Sequence, residues 1–234
     1  MKKILVLTAS ALVASSASAG DFYGALRGGY AFVQNDILQT MNTPMVATIA
    51  DDKYDDTVGT YKMAVGYEKN GLAMEIEFSQ FSEMTFDDGW LYQPDPTCTN
   101  ASCFMYNDFA LNTDIKAVQA NILYALDLDY KIKPVVGLGM GYAFVTEKGA
   151  INIGDWERTP SNDESAFVQS KAEKHTKFMW NIALGAEYSI SEDLAINAMY
   201  RYSDIADIDN SINADMVKRD LNMHELILGM KYLF

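Results

Sequence analysis

Cysteine and histidine are nearly absent from this chain of 234 residues: two of each. Two of each is the bare minimum for a zinc quartet, and Cys98 and Cys103 have no histidine near them in sequence, which makes a poor metal site. A disulfide-stapled scaffold is excluded. Cations are also scarce. Eighteen Lys and Arg stand against 32 Asp and Glu, a formal charge of −14. A chain so acidic lacks the basic surface that phosphate backbones require, which argues against nucleic acid as a partner. Beyond the first twenty residues there is no long uninterrupted apolar run, so no membrane-spanning helix is expected. No Gly-rich phosphate loop or nucleotide fingerprint occurs either, and no cofactor is implied.

What is present begins with the leader. Lys2 and Lys3 precede an apolar stretch from Ile4 to Ala14, and Ala17-Ser18-Ala19 follows. This is the layout of a secretory signal peptide over residues 1–19, too short to span a bilayer as a helix. Residues 20–234 are then one exported domain. Losing Lys2 and Lys3 moves the formal charge from −14 to −16.

The exported part alternates with a period of two. In KFMWNIALGAEY, Phe178, Trp180, Ile182, Leu184, Ala186 and Tyr188 share one face, opposite Met179, Asn181, Ala183, Gly185 and Glu187. A helix would repeat at three and four instead. The same rule holds in DFYGALRGGYAF, YKMAVGYE, LAMEIEFSQF, AVQANILYAL, IKPVVGLGMGYAFV, LAINAMYRYS and ELILGMKYLF. Eight strands follow, each of a length that crosses a bilayer when tilted.

Their connections alternate in length. Asn70-Gly71, 127–131 and 189–193 read as tight turns, the first a favoured two-residue hairpin. The stretches 35–57, 83–113, 146–176 and 204–220 read as long loops, and they carry most of the excess acid. Short turns on one side and long loops on the other are the pattern of an all-β transmembrane barrel, antiparallel and up-and-down. A hairpin hidden in GAINIGDW would raise the count to ten.

Alternation alone does not say which face is inside, since soluble barrels alternate too. The aromatic positions favour lipid outside. Phe22, Tyr67, Tyr124, Tyr188, Tyr232 and Phe234 mark the short-turn end. Tyr30, Phe32, Tyr61, Phe78, Tyr142, Phe144, Phe178, Trp180, Tyr200 and Tyr202 mark the other. Two aromatic girdles around an aliphatic band fit the two interfaces of a bilayer.

The opposite face then lines the lumen. It carries Arg27, Lys62, Lys133, Arg201 and Lys231 against Glu68, Glu75, Glu77, Glu187 and Glu225. An eight-stranded barrel is just wide enough for side chains to fill it. Matched charges in so narrow a space read as a salt-bridged plug, with an ion pathway as the alternative. Gly137, Gly139 and Gly141 are expected to make room for Tyr23 and Arg27 across the lumen.

Three further features bear on chemistry. Cys98 and Cys103 could close a small disulfide in the second loop, as export permits. DIADIDN offers Asp204, Asp207 and Asp209 but lacks the spacing and glycine of an EF-hand loop, so a solvated surface is the plainer reading. His224 is the one histidine with candidate catalytic neighbours, Ser203 and Asp220, but no motif brings the three together, and an interfacial ring is the plainer reading.

The Gly/aromatic first strand, the alternating strands and the terminal LGMKYLF together resemble the small outer-membrane β-barrel proteins, including opacity-type surface antigens. The resemblance covers the whole exported chain. It implies a monomer in outer-membrane lipid, delivered by the barrel-insertion machinery reading Leu226, Leu228, Met230, Tyr232 and Phe234. It further implies surface loops that meet a host or environmental ligand, in an adhesive, antigenic or envelope-structural role. A narrow porin is the second reading and a lipid-modifying enzyme the third. No cell-wall-binding domain is expected after Phe234.

Overall fold

The computed structural model describes residues 21–39, 53–94, 104–128, 130–153, 167–169, 172–212 and 215–234. The leader, Cys98 and Cys103 lie outside the described residues, as do the side chains of Asp207 and Asp209.

Ten strands follow in chain order: β1 Asp21–Gln39, β2 Lys53–Lys69, β3 Leu72–Phe81, β4 Met84–Pro94, β5 Phe104–Ala125, β6 Ile132–Ile153, β7 Phe167–Gln169, β8 Glu173–Ser189, β9 Leu194–Ile212 and β10 Asp215–Leu233. Eight form the wall, and every neighbouring pair is antiparallel. β4 resumes β3 after Ser82 and Glu83 and pairs with the same partner, β5, with a register shift between Phe86 and Gly89. β7 adds three residues to the far end of β6, pairing Ala150 with Gln169. Among the described residues GAINI therefore prolongs β6 and opens no extra transmembrane hairpin.

The wall closes where β1 meets β10, from Tyr23↔Leu233 to Gln39↔Val217. The amide of Phe234 donates to the carbonyl of Phe22 at 2.8 Å, so the chain's last residue pins the seam. Closure removes the unpaired edges that would otherwise lie in hydrocarbon.

The tight turns follow their sequence. Asn70 and Gly71 have φ of 53° and 77°. Both central residues are left-handed, as a two-residue turn matching the strand twist requires. A Cβ at Gly71 would also lie 2.5 Å from the carbonyl oxygen of Ala125.

The regions read as long loops are a correction. Much of each is strand. β9 and β10 run on until only residues 213 and 214 separate them. β1 and β2 extend to Gln39 and from Lys53. The wall thus continues as a paired ribbon well past the length a bilayer needs. The sequence is mixed in polarity there, and the backbone ladder continues through it.

Along these strands the two faces exchange character. In the lower two thirds the outside is apolar: Leu26, Val65, Ile76, Ile122, Leu138, Leu184 and Leu228 are all exposed. Higher up, the outward positions are Gln34, Asp55, Thr57, Gln80, Asp114, Lys116, Thr146, Asp204 and Asn222. At that level the inward positions become Ala31, Val33, Val58, Phe81, Met84, Ile115, Val145, Met179, Ile205, Leu221 and Met223, one buried cluster. The lower part is built for lipid outside, and the upper part is packed as a water-soluble barrel is. The exchange marks the level at which the wall leaves the hydrocarbon.

Candidate functional site: the charged lumen and the girdles

Below the apolar cap the lumen is crossed by ion pairs. β3 supplies Glu75 and Glu77, two residues apart and so on the same inner face. Arg27 on β1 reaches both. Its Nη1 lies 2.7 Å from Glu75 Oε1 and 2.6 Å from Glu77 Oε2, and its Nη2 donates to Glu75 Oε2 at 2.7 Å. Arg201 on β9 approaches Glu77 from across the barrel, with Nη1 at 2.5 Å and Nη2 at 3.2 Å. Glu77 is thereby clamped between two guanidinium groups, the geometry in which carboxylates are held most tightly.

Lys62 completes the layer. Its Nζ sits 2.7 Å from Glu225 and 3.9 Å from Glu77, and donates to Ser79 at 3.2 Å. Ser203 donates to Glu225 at 3.1 Å. Lys62 also lies 5.0 Å from the centre of the Phe81 ring, which belongs to the apolar cap. Arg27, Lys62 and Arg201 balance Glu75, Glu77 and Glu225, and all six are buried.

Amides extend this layer on the side of β5, β6 and β8. Asn121 donates to Glu75 at 3.1 Å, and Asn181 donates to Gln119 at 2.7 Å and to Asn121 at 3.2 Å. They meet over Gly139, where a Cβ would fall 1.9 Å from Asn121 Oδ1 and 2.3 Å from Asn181 Nδ2.

A second, smaller layer lies toward the short turns. Lys231 donates to Glu68 at 2.8 Å and to Glu187 at 2.7 Å, and stands 5.4 Å from the centre of the Tyr23 ring. The hydroxyl of Tyr23 donates to Glu75 at 2.9 Å and ties the two layers together.

The expected lumen set is therefore brought together with one exception. Lys133 is half-exposed at the rim and lies 3.4 Å from Asp127 in the turn, because β6 has only just begun there. The expected role of the β6 glycines is also corrected. Gly137 makes room for Leu123, Gly139 for the amide pair, and Gly141 for the backbone of β5. Tyr23 lies instead over Gly66, and Arg27 over Gly229, their register partners on the adjoining strands. Side chains in this tilted wall lean along it, so a glycine serves the neighbouring strand and not the opposite one.

Outside, the girdle residues Phe22, Tyr30, Phe32, Tyr142, Phe178, Tyr188, Tyr200, Tyr232 and Phe234 are exposed, and Tyr67, Trp180 and Tyr202 are partly so. Phe22 and Tyr67 pack at 5.3 Å between ring centres, and Tyr232 and Phe234 at 5.5 Å. His224 is in the upper girdle, its Nδ1 2.6 Å from the Tyr200 hydroxyl. Ser203 points into the lumen toward Glu225. His224 and Ser203 thus face opposite sides of the wall and form no catalytic pair.

An aliphatic outer face between aromatic girdles, a closed wall and a charged lumen define an integral outer-membrane β-barrel. The chain belongs to the outer membrane protein beta-barrel domain family, whose model matches residues 4–234. Its place is the bacterial outer membrane. A 31 kDa outer-membrane immunogenic protein of Brucella melitensis is 32% identical over 105 residues, which are 43% of this chain and 38% of that protein. The chain thus spans little more than a third of the curated relatives it matches. Among solved structures, Neisserial surface protein A is 15% identical, with 93% of this chain and all of that one covered and a TM-score of 0.45. OprG from Pseudomonas aeruginosa is likewise 15% identical, with 92% and 96% covered and a TM-score of 0.48.

Proposed function

We propose that this protein is a non-conducting, non-catalytic barrel that carries its acidic extracellular ribbons and loops as a surface for contact, in an adhesive or antigenic role. The observation that carries this reading is the double closure of the lumen. Six buried charged groups clamp one another at mid-height, and an apolar cluster from Ala31 to Met223 lies above them. An ion would have to displace paired charges and then enter a buried apolar layer, and both steps are costly in a narrow interior. With the interior spent on packing, the exposed ribbons are the part free to meet a partner. The Brucella relative is named an immunogenic protein, which is consistent with such exposure. The pairing of Leu226 to Phe234 along β1 makes the last strand the natural segment for insertion machinery to read.

The test is a planar bilayer measurement on refolded protein whose gel mobility changes on boiling. No conductance steps are expected. Reproducible ion-selective steps would overturn the closed-lumen reading and move the narrow porin forward. In the same preparation, replacing residues 40–52 by a short Gly-Ser link is expected to lower recognition by antibodies raised against whole cells while the folded mobility persists. Undiminished recognition would count against a surface role for that segment.

A further inference from the structure

The lipid-facing wall is not uniform. Across β8, β9, β10, β1 and β2 it holds a groove of about 750 Å³. Leu184, Tyr200, Leu226, Leu228, Tyr30 and Tyr61 stand around it, and all are exposed. Its floor lies where side chains are absent or small, at Gly28, Gly59 and Ala198, and Leu228 stands between Gly28 and Ala198 in register. The fold does not demand glycine at position 28. A Cβ there would meet nothing nearer than the carbonyl oxygen of Thr60 at 3.7 Å, an ordinary contact. Gly24, two repeats of the pleat below and beyond Leu26, differs: the ring of Phe234 already covers it at 3.6 Å. Gly28 keeps open a space that no side chain among the described residues fills.

Directly above the groove the wall turns polar. Tyr200, which lines it, bonds His224 through its hydroxyl. The Tyr202 hydroxyl donates to Asn222 at 2.8 Å, and the Trp180 indole N–H donates to Asp204 at 3.1 Å. The rings of Trp180 and Tyr202 lie 5.7 Å apart, and those of Tyr202 and His224 5.2 Å apart. Asp220 lies two residues before Asn222 on β10 and shares its outer face. This is a row of aromatic faces with two carboxylates, at the level where the wall leaves the hydrocarbon.

We propose that this groove and the polar row above it form a single binding site for one membrane lipid whose headgroup carries an amine. The groove is continuous with the surface already committed to lipid, so its occupant arrives through the membrane. An acyl chain lies over Gly28 and Ala198 along the flank of Leu228, which stands between them. The headgroup then reaches Trp180, Tyr202 and His224, whose ring faces attract a cation. Asp204 and Asp220 complement an ammonium and repel a headgroup that presents only phosphate. The site is independent of whether the lumen conducts.

The experiment is native mass spectrometry of refolded full-length protein released from micelles containing equimolar phosphatidylethanolamine and phosphatidylglycerol of the same chain length. A one-to-one adduct is expected, favouring the amine lipid by roughly tenfold, the size of one well-placed charge or cation–π contact. Gly28→Leu is expected to remove the adduct while the gel mobility of the folded barrel persists. Ala198→Leu, from the adjoining side of the groove, provides the same test should the first variant fold poorly. The double variant Asp204→Asn, Asp220→Asn is expected to keep an adduct but bring the two lipids near parity. Equal retention of both lipids by the parent protein, an adduct indifferent to both groove-filling variants, or a protein dimer in place of the lipid adduct would each overturn the proposal.

Discussion

Glu77→Gln is expected to lower the stability of the folded barrel by about 3–5 kcal/mol, the cost of removing one partner from a buried charge cluster. Glu77 is fully buried and accepts from Arg27 and Arg201, with Lys62 close by. Glutamine fits the space but removes the charge. It leaves two guanidinium groups and an ammonium sharing Glu75 and Glu225, all buried away from bulk solvent. Urea unfolding in lipid vesicles, followed by gel mobility and tryptophan fluorescence, measures the loss. Lys133→Met supplies the contrast. Lys133 is a rim residue paired with Asp127 at 3.4 Å, and exposed pairs contribute about 0–1 kcal/mol. If the two variants unfold at the same urea concentration, the lumen network does not hold the barrel together.

The identity of these lumen residues was legible in the sequence because a strand's period of two sorts them without further information. Arg27, Glu75, Glu77 and Arg201 fall on the inner face by counting alone. Their partners were less accessible. Arg201 and Glu225 are register neighbours on β9 and β10, which makes them the natural pair from sequence. The structure sends Arg201 across the barrel to Glu77 and gives Glu225 to Lys62. A long side chain in a narrow tilted barrel reaches the opposite wall as readily as the adjacent strand. The choice depends on shear, which one strand's sequence does not encode.

The ribbons illustrate a different limit. Above the bilayer the outward face becomes polar and the inward face apolar, so the phase of the alternation inverts. In GGYAFVQN the apolar outward residues end at Phe32, and Val33 is already part of the inner apolar cluster. In RYSDIADI the inward Ile205 follows the inward Arg201 and Ser203 on the same face. A scan for one continuous greasy face stops at this point and records a loop. A scan that permits one inversion would have continued the strand and found the cap. Nothing comparable marks the lipid-facing groove, because Gly28 and Ala198 acquire meaning only when five strands are placed side by side.

The adjacent glycines Gly28 and Gly29 are expected to respond in opposite ways. Gly29→Val should abolish the heat-modifiable folded form, and Gly28→Val should retain it. The two occupy the same seam between β1 and β10, but their missing side chains point to opposite faces. A Cβ on Gly29 would lie 1.9 Å from the carbonyl oxygen of Leu226 and 3.0 Å from the Cα of Ile227. These are backbone atoms of the closing strand, so no rotamer change relieves the contact. The seam must part or the register must move, and either exposes unpaired backbone groups to hydrocarbon at several kcal/mol for each group. Overpacking against side chains alone costs about 1–3 kcal/mol, because side chains can shift. Gly28 faces lipid with its nearest obstacle at 3.7 Å. Valine there adds strand propensity and apolar surface where both are favourable. Refolding from urea into lipid vesicles, scored as the fraction with folded gel mobility, separates the two. Equal yields would mean that the β1–β10 seam has enough slack to accept a side chain. Closure of the barrel would then rest on the lumen network and the Phe234–Phe22 hydrogen bond more than on close approach of the two strands.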